Sequence, residues 1–399
     1  MALGALIAAY QEDDEGGLRA LLPLAGQSLI EYQARCLAAA GIAPIVVLIE
    51  RIPPALNEAF ERLRIDGIPI VSVGDGMEAA TRFEAGALIL LLGDGIVPPP
   101  DMIANLVNGG ETAVLTVADD TEHERYERID ARSRWAGVAI VDAHLLASTA
   151  AMLGDWDLQS TLLRRVVQEG AIRIPVGVES GEPLLVDRAE QLADFERAMI
   201  AASRGARRDF SSRYLLPPVE DFVTGQLIEA PIRPAWLIWG ALTLSVLAAA
   251  AFFKGWPIVA MACLLLSTPL DLIAARIATL RLRPLPAKML SRRLLWPVAG
   301  LALLALGWWQ NSNGGGWGSV VAALAAVAFA EAARAEAPAS PLSGEAWLFS
   351  RRNAIVLALP FSLFGAWNLY LAAMALYAAA SFFLLQHIRH RLAGELTRD

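Results

Sequence analysis

The chain changes its hydrophobic rhythm once. Up to about residue 203, short apolar runs alternate with amphipathic stretches; after residue 234, apolar stretches of membrane-crossing length follow one another. The short runs predict strands at 3–9, 45–49, 68–73, 87–92 and 113–117, with helices at 29–40, 55–64 and 102–107. Strands that stay apolar at every position are buried on both faces, so the first part reads as an α/β domain with a doubly wound, mostly parallel sheet. Ligands of such sheets bind beyond the carboxyl ends of the strands. The later stretches, 235–253, 257–275, 294–309, 317–333, 353–368 and 370–386, predict an all-α domain of six transmembrane helices. About 20 apolar residues cross a bilayer, so the shorter stretches must borrow flanking residues.

Charge follows the same division. Residues 1–230 hold 35 acidic and 19 basic side chains, whereas the remainder holds 6 acidic and 14 basic, with nine of the eleven tryptophans. That split excludes a wholly soluble protein, a disordered chain and a secreted disulfide scaffold. Cys36 and Cys263 are too few for a disulfide framework or a cysteine zinc site. The first seven residues lack a basic region, so no signal peptide is expected there. Basic clusters precede the first span (Arg204, Arg207, Arg208), separate the second from the third (Arg276 to Arg293), lie between the fourth and fifth (Arg334, Arg351, Arg352), and follow the sixth (Arg389, Arg391). By the positive-inside rule both termini are cytoplasmic, and the protein is expected to be integral to the inner (cytoplasmic) membrane. The organisation is then a cytosolic domain at 1–203, an amphipathic juxtamembrane linker at 204–233 and a membrane domain at 234–399. Nucleic acid is not an expected partner. His123 and His144 read as surface or core residues.

The first strand opens into Tyr10-Gln-Glu-Asp-Asp-Glu-Gly-Gly-Leu-Arg19, then Leu22-Pro-Leu-Ala-Gly-Gln-Ser-Leu-Ile30. That order resembles the sugar-phosphate nucleotidyltransferase family, whose opening loop wraps a nucleoside triphosphate. The resemblance implies nucleotide binding by Gly16, Gly17 and Arg19. It also implies a Mg²⁺ site at Asp94, which ends the apolar run at 90–94, and at Asp187, in a segment like the family's second metal carboxylate. Arg19, Asp94 and Asp187 are the implied catalytic set. Tyr10 stands where the family has its first glycine, four acids crowd the loop, and the usual lysine is absent. Read for local structure alone, Asp94 also suits the cap of the next turn and Asp187 the cap of a helix near Arg188.

The segments Asp209-Phe-Ser-Ser-Arg-Tyr214 and Pro231-Ile-Arg-Pro234 resemble the entry to CDP-alcohol phosphotransferases. In order of parts, the chain resembles the bifunctional inositol-phosphate cytidylyltransferases fused to a di-inositol-phosphate-phosphate synthase. This implies CTP and a phosphorylated polyol or sugar as substrates, a role in phospholipid-headgroup or polyol-phosphate synthesis, and a homodimer through the membrane domain. The membrane family's metal motif survives only in part. Asp271-Leu-Ile-Ala-Ala-Arg276 keeps its first acid and arginine, but Met289 and Arg293 stand where two later aspartates belong. An arginine cannot serve as metal ligand or general base, so the transfer site reads as inactive. Asp271 and Arg276 also suit a structural ion pair, and Arg293, beside Arg276 and Arg292, suits a phosphate or anionic lipid. Two functions stay open: a membrane-anchored nucleotidyltransferase, or a nucleotide- and lipid-binding scaffold with decayed sites. A transporter finds no support in a proton relay.

Overall fold

The computed structural model describes residues 3–153, 157–176, 181–205, 207–230, 232–283, 285–286, 288–337 and 344–396. Pro231 of the membrane-entry segment lies outside them. The chain divides into two compact units, residues 1–199 with 281–283, and residues 200–280 with 284–399.

The first unit is built on strands β1 (Leu3–Ala8), β4 (Ile45–Leu48), β5 (Ile70–Val73), β6 (Leu88–Leu92), β8 (Ala113–Ala118), β9 (Ser133–Asp142) and β10 (Ile172–Pro175). Short pairs flank them: β2 (Pro23–Leu24) with β3 (Gln27–Ser28), and β7 (Ile96–Val97) with β11 (Leu184–Leu185). The seven-stranded sheet runs β10-β8-β9-β6-β1-β4-β5. Only β9 is antiparallel to its neighbours. Successive side chains point to opposite faces of a strand. In β1, accordingly, Ile7 joins one buried cluster with Ile30, Leu37 and Leu90, while Leu6 joins another with Val46, Leu91 and Leu146. Two covered faces explain why these strands are apolar at every position.

Helices α1 (Leu29–Ala39), α2 (Pro54–Ile65), α3 (Gly76–Ala80), α4 (Pro100–Gly109), α5 (Ala143–Met152), α6 (Leu158–Gln168) and α7 (Ala189–Ala202) complete this unit, α7 running three residues past its edge. Their starts are written locally. The Glu31 carboxylate accepts from Ser28 N at 3.0 Å, and Asp75 and Asp157 accept from Glu78 N and Ser160 N at 2.8 and 2.7 Å. The five expected strands and three expected helices are all present. Residues 133–175, to which the sequence pattern assigned nothing, hold β9, α5, α6 and β10.

In the second unit, α8 (Pro217–Leu227) precedes α9 (Pro234–Phe253), α10 (Pro257–Leu280), α11 (Leu290–Gln310), α12 (Gly316–Glu336), α13 (Arg351–Leu363) and α14 (Trp367–Leu396). Among the described residues, four segments are long and apolar enough to cross a membrane: Pro234–Phe253, Pro257–Leu280, Leu290–Glu336 and Trp367–Arg391. The third holds both α11 and α12, which meet where Asn313 and Gly314 leave helical geometry. Against the six spans expected, four such segments are found, which together hold five of the six expected helices. The fifth expected span, 353–368, falls on α13, which has only 13 residues. Gly365 cuts that helix short by taking φ +64°, a left-handed conformation that glycine adopts without strain.

Candidate functional site

Strand β6 ends in Gly93-Asp94-Gly95 and continues into β7. The Asp94 side chain is buried, and its Oδ2 accepts from the amides of Tyr10 at 2.8 Å and Gln11 at 2.7 Å. The chain leaving β1 is thereby anchored to the end of β6. Among the described residues Asp94 Oδ1 has no hydrogen-bond partner. Burial pushes the Asp94 carboxyl up to about 6, against the opposing pull of the Gln11 and Tyr10 amides and the Arg19 charge.

Strand β11 brings a second carboxylate. It pairs antiparallel with β7, Leu185 opposite Ile96, and the ladder continues as Val186 N donates to Gly95 O at 2.8 Å. Asp187 follows Val186 and Asp94 precedes Gly95, so both aspartates are chain neighbours of this contact. Gly95 permits the approach. Its φ is +70°, and a Cβ there would run into the Val186 carbonyl and lie 3.3 Å from Arg19 Cδ.

Asp187 Oδ2 pairs with Arg125 Nη2 at 2.5 Å, while its Oδ1 is buried without a partner. Its backbone N–H donates to Gln191 Oε1 at 3.0 Å. Neither aspartate is therefore a simple helix cap: one carboxylate binds the amides of a distant loop, the other an arginine.

A pocket of 180 Å³ lies beside Asp94, its wall including Gln11, Arg19, Arg125, Glu127 and Gln159. Gln159 Oε1 accepts from Asp94 N at 3.2 Å, and Ser160 Oγ donates to Glu127 Oε2 at 3.1 Å. Arg19 Nη1 donates to Gln11 Oε1 at 2.8 Å. Arg19 and Asp94 are thus brought together, with Asp187 joined to the same wall through Arg125.

Gly16 and Gly17 are not. Both are exposed at the tip of a hairpin closed by the Glu12–Leu18 bridge, and neither forms part of the pocket wall. The amides of Glu15 and Gly17 donate to Asp13 Oδ1 at 2.9 and 2.7 Å, so the loop's own carboxylate occupies donors that a phosphate would use. Tyr10, Gln11, Arg125, Glu127 and Gln159 escaped the sequence pattern. Arg125 and Glu127 sit in a polar stretch without periodicity, and Gln159 needs α6 to be placed. His123, expected to be a plain surface or core residue, stands between Asp120 at 2.7 Å and Glu182 at 3.1 Å.

As for Mg²⁺, no group of three or more metal-ligating side chains occurs among the described residues. The donor set nevertheless fits an ion that takes one or two carboxylates and completes its shell with water and phosphate oxygens. Asp94 and Asp187 each keep one buried oxygen without a partner.

In the second unit the expected Asp271–Arg276 pair is replaced by other partners. Asp271 accepts from Arg351 Nη2 at 3.1 Å and from Arg352 Nη2 at 2.5 Å. Arg276 Nη1 binds Asp221 at 2.6 Å and Glu220 at 3.5 Å, and its Nε donates to Ser203 Oγ at 2.9 Å. An arginine five residues along a helix points away from Asp271, and neighbouring helices supply nearer charges. Arg293 is exposed.

A family model described as MobA-like NTP transferase domain matches residues 15–217. No curated protein matches the chain. Among solved structures, a Bacillus anthracis protein assigned as a glucose-1-phosphate thymidylyltransferase, in complex with a sucrose, is similar at 11% identity and a TM-score of 0.38. The likeness covers 49% of this chain and 96% of that one.

Proposed function

Because the chain belongs to the MobA-like NTP transferase domain family, we propose that it is a membrane-anchored nucleotidyltransferase. It joins a nucleotide from a nucleoside triphosphate, CTP being the first to test, to a phosphorylated polyol or sugar. The observation that carries the reading is Asp94, buried at the end of β6 with one oxygen free, next to the Val186–Gly95 contact that precedes Asp187. CTP and the polyol rest on the resemblance in the order of the chain's parts.

Asp94 and Asp187 would hold Mg²⁺, which when bound neutralises triphosphate charge. Arg19 and Arg125 supply guanidinium groups for phosphate oxygens, Arg19 by releasing Gln11 and Arg125 by releasing Asp187. The Tyr10 and Gln11 amides hold Asp94 in place. In the transfer, an acceptor phosphate oxygen bonds to the α-phosphorus as the bond to the pyrophosphate leaving group breaks.

For the helical unit the proposal is anchoring, without metal-dependent transfer from a CDP-alcohol. Both oxygens of Asp271 are engaged by arginines, which supports this.

One observation favours a second reading, a nucleotide-binding scaffold without turnover: Asp13 holds the loop amides, and Glu12 to Glu15 place four acids beside them. Titration of the full chain in detergent with CTP, ATP and GTP in Mg²⁺, followed by a pyrophosphate-release assay with sugar and polyol phosphates, tests both. Binding lost in Asp94→Asn and Asp187→Asn, with release of pyrophosphate, is expected. Binding without release favours the scaffold; no Mg²⁺-dependent binding of any triphosphate rejects the site.

A further inference from the structure

The helical unit contains a cavity of 360 Å³ that the nucleotide reading leaves unused. Its wall is almost wholly apolar, with Leu264, Ala302, Ala326 and Tyr370 among its residues. That volume is within the roughly 300–1,000 Å³ of ligand pockets, and over twice the ~150 Å³ engineered void that takes up benzene. Leu301 in the wall is 57% exposed, so the cavity reaches the outer apolar surface of α11.

One buried cation stands in this wall. The Arg351 side chain is only 9% exposed, its Nη2 donates to Asp271, and its Nη1 is buried with no hydrogen-bond partner among the described residues. Asp271 cannot satisfy it, because its second oxygen is taken by Arg352. A buried guanidinium N–H without an acceptor is costly, and a ligand carrying its own acceptor removes that cost once the side chain turns toward the cavity. Trp296 also lines the cavity, and the exposed Arg334 lies 5.7 Å over its ring, adding a cation near the wall. Glu331, exposed in the same wall, adds one negative charge there.

We infer that this cavity is a phospholipid site: an acyl chain fills the apolar space and a headgroup phosphate oxygen accepts from Arg351 Nη1. An arginine fork matches phosphate geometry. A phospholipid alone among bilayer components brings phosphate and chain together, and the exposed Leu301 face gives it a sideways entry. The site is separate from the one proposed for nucleotides, and stands or falls without it.

Native mass spectrometry of the delipidated full chain in detergent tests the assignment, with phosphatidic acid, diacylglycerol, oleate and inorganic phosphate as separate probes. One phosphatidic acid per chain is expected, with no comparable binding of the other three. Arg351→Gln is expected to weaken binding about tenfold or more, as a lost charged hydrogen bond would. Ala326→Phe, which fills the cavity and leaves Arg351 intact, is expected to abolish it. Equal binding of diacylglycerol, preference for oleate, or retention of phosphatidic acid in Ala326→Phe would each overturn the inference. The last comparison decides the matter even if Arg351→Gln does not fold.

Discussion

Two backbone amides hold Asp94 by one oxygen and leave the other free. That asymmetry suits the cation site proposed for it better than a cap. Gly95 protects the arrangement, since any side chain there meets Val186 O and forces a strained φ. Gly95→Ala is expected to cost about 1–3 kcal/mol and to abolish nucleotide binding, read by thermal melting with and without Mg²⁺–nucleotide. Glu31 plays a purely structural part. Burial alone would raise its pKa, but hydrogen bonds from Arg62 and Ser28 and the Arg35 charge outweigh burial and hold the carboxyl at about 2. A depressed acid stabilises the fold above its unfolded pKa of about 4.3, and that contribution drains away as pH falls toward 2. Two units amount to about 3 kcal/mol. Melting curves of wild type and Glu31→Gln are therefore expected to differ by roughly that amount at pH 7 and to converge near pH 2.

Among the elements, the continuous apolar runs of β1, β4, β5, β6 and β8 were readable because both sheet faces are covered. β10 was not, since all four of its residues are exposed at the sheet edge and carry little apolar signal. In the helical unit, Asn353 ties α13 to its surroundings. Its Oδ1 accepts from Ser211 N and Oγ at 3.0 and 2.9 Å, and its Nδ2 donates to the carbonyls of Ala346 and Leu348, each at 3.0 Å. Asn353→Ala strands these buried groups, for an expected loss of about 2–4 kcal/mol, measurable as a fall in melting temperature in detergent. An unchanged melting temperature would remove Asn353 from that role.

For the whole molecule, α13 decides the topology. At 1.5 Å per residue its 13 residues span about 20 Å, short of the roughly 30 Å hydrocarbon core. If α13 crosses with help from flanking residues, the C-terminal end returns to the side of the basic 276–293 segment; if it does not, the two lie on opposite sides. The positive-inside asymmetry favours crossing. With Cys36 and Cys263 both replaced by Ser, single cysteines at Arg292 and His390 are expected to be labelled from the cytoplasmic side and one at Asn313 from the other. Labelling of His390→Cys from Asn313's side would leave α13 outside the spans.

The division into an α/β part and an apolar helical part was written in the sequence, because burial on two sheet faces and immersion in hydrocarbon each impose composition residue by residue. Helix starts such as Ser28–Glu31 were equally local. The partners of isolated charges were not. Asp94 and Asp187 were visible as acids at the ends of apolar runs, but only the β7–β11 pairing brings their neighbours Gly95 and Val186 into contact, and only the fold gives Asp187 to Arg125. Asp271 and Arg276 suggested each other by proximity in sequence, yet each found nearer charges on other helices. Local pattern reports what a residue's own element buries; which charge meets which depends on elements brought together from distant parts of the chain, and that the tertiary structure alone decides.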